Sequence, residues 1–244
     1  SSTGCTGAFE TLQPATNLCV ATMATVSVPD GSSKYGIDAT EVTRGQYDQW
    51  LSTNPTLPAS TDTNCGYVTS YAEQGTSDLF TRTDAAHHPV AYVDWCDAYA
   101  YCVGVGKRLC GRIGGGPNAY ADYATASASQ WYNACSSAGA ATYPYGSTYD
   151  RSACNGSDSG NGTTTAVGSL SSCQAVSPYA GAYDLSGNVW EWEDSCNTTG
   201  PSATCRIRGG AFNLCCSDLT CNAGNIDITR NGADSVVGFR CCSD

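Results

Sequence analysis

At 244 residues the chain is long enough for a buried core, and Lys+Arg 11 against Asp+Glu 22 give it a net charge of −11. That acidity argues against nucleic acid or an anionic membrane as partner, and no apolar run approaches the roughly 20 residues of a spanning helix. Sixteen cysteines, an even number with no C-x-x-C pair suited to zinc, point to disulfides in an oxidising compartment.

The chain begins Ser1-Ser2-Thr3-Gly4 without an initiator Met, which reads as a mature chain after signal-peptide removal; the expected location is secreted, extracellular or periplasmic. Residues 1–34 read as a stapled amino-terminal segment packed on a main domain of residues 35–244, with Cys5 and Cys19 paired across a short loop. Val26-Ser27-Val28-Pro29 reads as an edge strand stopped by proline. Tyr35 to Val42 alternates like a half-buried strand, and Thr43 then caps a helix over Arg44–Ser52 with Tyr47, Trp50 and Leu51 on its apolar face. Residues 53–88 are polar loop, pinned to the core by Cys65.

Asp94 is the expected cap of a helix running to about Val103. Just before it, His87 and His88 point to different sides of an extended chain, so a shared metal is not expected. Gly106-Lys107-Arg108-Leu109 is no phosphate loop, because neither Ser nor Thr follows the lysine. Ser127 to Cys135 reads as a second capped helix. In the turn-rich stretch after it, Gly156-Ser157-Asp158-Ser159-Gly160 carries aspartate where a hydrolase elbow needs its serine. Asn155, Asn161 and Asn197 head sequons that matter only in a glycosylating host. Local spacing suggests Cys154–Cys173 and Cys196–Cys205. The last third is short strands and tight turns, and with no repeat or linker the whole reads as an α+β unit, loop-rich and disulfide-stapled.

Tyr183 to Asp194 carries the most chemistry. Carboxylates or amides stand at 184, 188, 191, 193 and 194, and Gly187 lets the chain turn tightly between them. Such an oxygen-rich loop, free of His and Cys, suits a hard cation such as calcium. It equally suits an acidic surface turn whose tryptophans, Trp190 and Trp192, plug the core.

Nine motifs occur in a familiar order. They are Asp38 to Thr43, Pro89 to Trp95, Ala100-Tyr101-Cys102, Gly106 to Leu109, Gln130-Trp131-Tyr132, Tyr143-Pro144-Tyr145-Gly146, Gly187 to Trp192, Arg208 to Phe212 and Gly238-Phe239-Arg240. Over about residues 35–244 the chain resembles the formylglycine-generating-enzyme (sulfatase-modifying factor) family. The resemblance implies a C-type-lectin-like fold and a structural calcium ion held by Glu41, Asp184, Asn188 and Glu191 with the carbonyls of Gly187 and Val189. A second, weaker calcium position would fall at Asn155 and Gly156. It also implies the disulfides Cys102–Cys241 and Cys135–Cys221.

Enzymes of the family oxidise a substrate cysteine with oxygen, on Cu(I) held by two thiolates that come after a Gly-Gly-Ser-Tyr motif. Here the text is Gly209-Gly210-Ala211-Phe212, then Cys215, Cys216 and Cys221. Cys216 and Cys221 have the spacing of the copper pair, but in a shortened segment and a late register. If Cys221 is bonded to Cys135, only Cys215 and Cys216 remain, and neighbours in an extended chain point apart. With only two histidines, the three-histidine iron site found elsewhere on this fold cannot be assembled. The expectation is a fully disulfide-bonded, calcium-stabilised, secreted binding or structural module. Its partner would be an extracellular protein or glycan, or itself, because 15 tyrosines in a sparsely charged chain suit recognition and self-assembly alike. The alternatives are a copper-dependent oxidase making formylglycine and a calcium-dependent carbohydrate binder. Spacing leaves the partners of Cys65, Cys96, Cys110, Cys215, Cys216 and Cys242 open.

Overall fold

The computed structural model describes residues 4–57, 63–75, 83–224 and 227–244, so parts of the expected 53–88 loop (58–62 and 76–82) lie outside the described residues. Strands β1 (Glu10–Gln13) and β2 (Leu18–Ala21) form a hairpin, with Cys5 bonded to Cys19. β3 (Met23–Ser27) then pairs along its length with β4 (Lys34–Asp38), so the amino-terminal segment shares a sheet with the first strand of the main domain. β3 lies at the edge of that sheet, with Pro29 just beyond its end. β4 is shorter than the alternation suggests. It stops at Asp38, whose carboxylate takes Lys107 Nζ at 2.5 Å and the Cys241 N–H at 2.9 Å. Beyond it the chain crosses to the other sheet, where the Val42 N–H bonds the Phe239 carbonyl.

Both longer helices begin at reciprocal caps, which satisfy amides that a helix start leaves free. Thr43 and Gln46 box the start of α1 (Arg44–Leu51), and Asp94 and Asp97 that of α2 (Trp95–Gly104). After β5 (Arg108–Leu109), α3 (Gln130–Ser136) starts two residues later than Ser127 predicts. Its cap is Ser129, whose hydroxyl accepts the Tyr132 N–H and also donates to buried Glu193 at 2.6 Å. A tertiary partner selects this serine over Ser127.

β6 (Trp190–Cys196) is central to a sheet ordered β8-β7-β6-β9, with β7 (Thr204–Arg208), β8 (Asp227–Thr229) and a parallel β9 (Val237–Phe239). The period of two along a strand sends Trp190 and Trp192 into the core shared with α1 and α2. It sends Glu191 to the opposite face, where it meets Trp131 of α3. β10 (Cys241–Ser243) returns to the first sheet, between β4 and β5. No helix among the described residues is long and apolar enough to cross a membrane.

Seven disulfides staple this loop-rich α+β fold. They are Cys5–Cys19, Cys65–Cys96, Cys102–Cys241, Cys110–Cys242, Cys135–Cys221, Cys154–Cys173 and Cys196–Cys205. The expectation that every cysteine is bonded is corrected at one place: Cys215 and Cys216 carry no disulfide.

Candidate functional site

Two regions carry the candidate residues. The first is the turn before β6. Gly187 adopts φ +77°, and a Cβ there would stand 2.3 Å from the Asn155 carbonyl oxygen, so only glycine lets the two segments meet. The contact gathers Glu41, Asp184, Asn188 and Glu191 into one buried cluster around the buried guanidinium of Arg240. Both Glu191 oxygens lie 2.6 Å from Arg240 nitrogens, and Trp131 Nε1 adds a bond of 2.9 Å. Arg240 also donates to the carbonyls of Asp38 and Tyr183. Asn188 is oriented by the Thr165 backbone N–H, which donates to its Oδ1 at 2.9 Å, so its amide nitrogen faces Glu41 Oε1 at 3.0 Å. Asp184 Oδ2 accepts the Gly168 N–H at 2.6 Å.

Three carboxylates against one guanidinium leave an unbalanced negative charge. Burial, and then the charge of Asp184, push Glu41 well above the usual carboxylate range. Burial lifts Asp184 from its ordinary 3.8 to about 6. Glu41 Oε2 is buried and faces no donor. The cluster therefore fits a hard cation in charge and in that orphaned oxygen, while Glu191 and the Asn188 oxygen are already engaged by protein donors. Asn155 bonds Thr163, Asn188, Ser159 and Asn161, and a Cβ on Gly156 would meet Leu219 at 2.6 Å. His88 is buried against Thr164 at 2.9 Å and Asp84 at 3.2 Å. Among the described residues, the one trio of potential ligands close together is Cys5, Glu10 and Cys19, whose sulfurs are bonded to each other.

The second region is the loop after Gly210, which turns at φ +77° because a Cβ would come within 2.6 Å of the Asp218 carbonyl oxygen. Cys221, at its end, is bonded to Cys135. The structure therefore does not bring Cys216 and Cys221 together as a thiol pair. Cys215 and Cys216 also depart from the picture of neighbours pointing apart. Cys215 is extended, Cys216 is left-handed at φ +57°, and the two sulfurs come to the same side at 2.8 Å. A left-handed backbone costs a side-chain-bearing residue about 1–2 kcal/mol, so the surrounding loop must hold it. The hydrogen bond to Cys215 pushes the Cys216 thiol up to about 11.

Three tyrosines, absent from the sequence-derived site, form a cluster that reaches the backbone of Cys216. Tyr143 stacks on Tyr145 with ring centroids 5.4 Å apart and leans on Tyr149 at 5.5 Å. The Tyr143 hydroxyl donates to the Cys216 carbonyl at 3.3 Å, and Tyr149 donates to Asp158 at 2.6 Å. Tyr145, Tyr149, Arg151 and Asp158 line an open pocket of about 740 Å³. The cluster of tyrosines at 143, 145 and 149 was the available signal, but it does not say which rings share a face.

The chain matches the sulfatase-modifying factor enzyme 1-like domain over residues 9–244. It is 29% identical over 188 residues to the formylglycine-generating enzyme of Mus musculus, covering 65% of this chain and 45% of that one. To the Mus musculus protein named inactive C-alpha-formylglycine-generating enzyme 2 it is 30% identical over 168 residues, covering 64% and 49%. The aligned regions thus span about half the length of these relatives. The solved structure of PvdO from Pseudomonas aeruginosa is similar with a TM-score of 0.59 and 18% identity, over 99% of this chain and 100% of that one, a likeness of fold.

Proposed function

The chain belongs to the sulfatase-modifying factor enzyme 1-like family, and from that premise we propose that it is a secreted, disulfide-stapled binding or structural module without oxidase chemistry of its own. The observation that carries this reading is the sulfur geometry after Gly210. A two-thiolate copper centre needs sulfurs spaced to hold one soft ion and still admit a substrate thiol and oxygen. With sulfurs 2.8 Å apart, an ion at ~2.3 Å from each would be held at an S–metal–S angle of about 75°, too acute for a linear or tetrahedral site. The open pocket beside the pair supports recognition of an extracellular protein or glycan, because the partly exposed rings of Tyr145 and Tyr149 that line it offer apolar faces with polar tips.

The test is aerobic incubation of the purified protein with copper, a mild reductant and a cysteine-containing peptide, then mass spectrometry of the peptide. The expected result is peptide indistinguishable from the protein-free control. Aldehyde above that control would replace this reading with the oxidase.

The buried acidic cluster supports a structural calcium ion within the same module. Glu41 and Asp184 are the side chains best placed to hold it, with the Gly187 and Val189 carbonyls supplied by the family resemblance. The ion's contribution would be charge neutralisation, relieving carboxylates that burial otherwise drives toward protonation.

A further inference from the structure

We infer that Cys215 and Cys216 are a modification site: in an oxidising compartment they close on each other as a vicinal disulfide, an eighth bridge beside the tyrosine-lined pocket. The other fourteen cysteines are consumed in seven bridges, so each of these two sulfurs has the other as its available partner. They lie 2.8 Å apart, well inside the contact distance of two unbonded sulfurs and a short movement from the ~2.05 Å of a disulfide.

The backbone holds them there. Leu214 N–H bonds the Ala211 carbonyl at 3.0 Å, and the Leu214 carbonyl accepts the Ser157 N–H at 2.8 Å. Downstream, Asp218 N–H bonds the Cys215 carbonyl at 3.1 Å, and Cys221 N–H bonds the Thr142 carbonyl at 2.8 Å. The left-handed Cys216 is thus fixed on both sides, with its sulfur against that of Cys215.

Closure is a thiol–disulfide exchange with a low-molecular-weight disulfide such as oxidised glutathione. The exposed Cys216 is the sulfur that first meets the reagent, forming a mixed disulfide and releasing one reduced thiol. Cys215 then attacks the Cys216 sulfur, the ring closes, and the second reduced thiol leaves. Two protein thiols have lost two protons and two electrons, and one external disulfide has become two thiols. Because the Cys216 thiol is pushed up to about 11, the uncatalysed step speeds up as pH rises from neutrality. The ring also fixes the Cys216 carbonyl that holds Tyr143, which links the oxidation state of the pair to the tyrosine stack.

The experiment is alkylation and peptide mass mapping of full-length protein equilibrated with oxidised glutathione. The expected peptide spanning 215–216 is unalkylated and two hydrogen masses light. After mild reduction both cysteines should alkylate while the seven other bridges persist. Two alkylated cysteines before reduction, a stable glutathione adduct on Cys216, or a disulfide-linked dimer would each overturn the proposal. The C215S variant supplies the control, since Cys216 should then retain glutathione. If it does not, protection in the natural protein is steric and the ring reading falls. The readout is sulfur oxidation state, so its failure would leave the peptide-oxidation test of function untouched.

Discussion

In β10, Cys241 and Cys242 sit on an extended strand and leave on opposite faces, each toward a distant partner: Cys102 in α2, 139 residues away, and Cys110, 132 residues away. In the loop after Gly210, Cys215 and Cys216 sit on a turned backbone and meet each other at 2.8 Å. The residue types are identical and the environments are both rich in disulfides. What differs is one backbone angle: a pleated pair couples layers of the fold, whereas a left-handed second residue turns the pair on itself. The strand pair lies beside the buried Glu191–Arg240 fork, and the loop pair lies on the rim beside the tyrosines. Sulfur in the first region is therefore architecture, and in the second it is chemistry left over after the architecture is complete.

The comparison breaks first at the strand pair. Replacing both Cys102 and Cys241 with alanine removes a cross-link that closes 139 residues, and in the chain-entropy model this costs about 4–5 kcal/mol. The double variant avoids stranding a lone thiol in the core. A free energy of unfolding, from urea denaturation, lowered by that amount is the expected outcome. A loss near zero would say that the unfolded chain is already restricted by its six other bridges, and that β10 is not held by sulfur.

Next in size is the acidic cluster beside that strand. If Glu41 and Asp184 hold calcium, chelation lowers the melting temperature, and at free calcium 100-fold above Kd the apparent stability difference is about 2.7 kcal/mol. In the Glu41→Gln variant the difference between calcium and chelator should largely vanish. A natural protein whose melting curve ignores chelator would mean that the cluster is neutralised by Arg240 and a retained proton, making it a protein-only hub.

Much of this was legible in the chain. Thr43 and Asp94 announced their helices because a cap is a local device, satisfied by residues three positions on. The order of motifs pointed to the family, but Trp190 to Asp194, read in the sequence as part of an oxygen-rich loop, are the start of β6, because their alternation places the tryptophans and Glu191 on opposite faces. What was hidden depends on partners far away in sequence. Ser129 rather than Ser127 caps α3 because Glu193, 64 residues later, accepts its hydroxyl. Arg240 occupies the Glu191 carboxylate that the family resemblance had assigned to calcium, and nothing near either residue foretells a fork across 49 positions. The backbone of Cys216 was hidden for the same reason: the turn around it is held by bonds such as that from the Ser157 N–H to the Leu214 carbonyl, far off in sequence.

The smallest expected effect sharpens the contrast most. Replacing Cys215 and Cys216 together with serine should change the free energy of unfolding in urea by no more than ~0.5 kcal/mol, as for other substitutions at an exposed loop. The reason is the size of the ring. A cross-link stabilises by removing unfolded-state freedom, and that freedom grows with the number of residues enclosed, so a bond between neighbours encloses almost nothing. Serine also keeps the size of the side chain and leaves the left-handed turn to be held, as before, by the Leu214 and Asp218 backbone bonds. The variant should therefore keep its stability in oxidising buffer and in one reducing enough to open only the 215–216 pair, while the natural protein changes its thiol count between the two. A loss of about 2 kcal/mol or more, beyond the range of an ordinary surface substitution, would mean that the rim bridge itself holds the 211–220 loop in place. The two cysteine pairs would then differ in reach but not in kind.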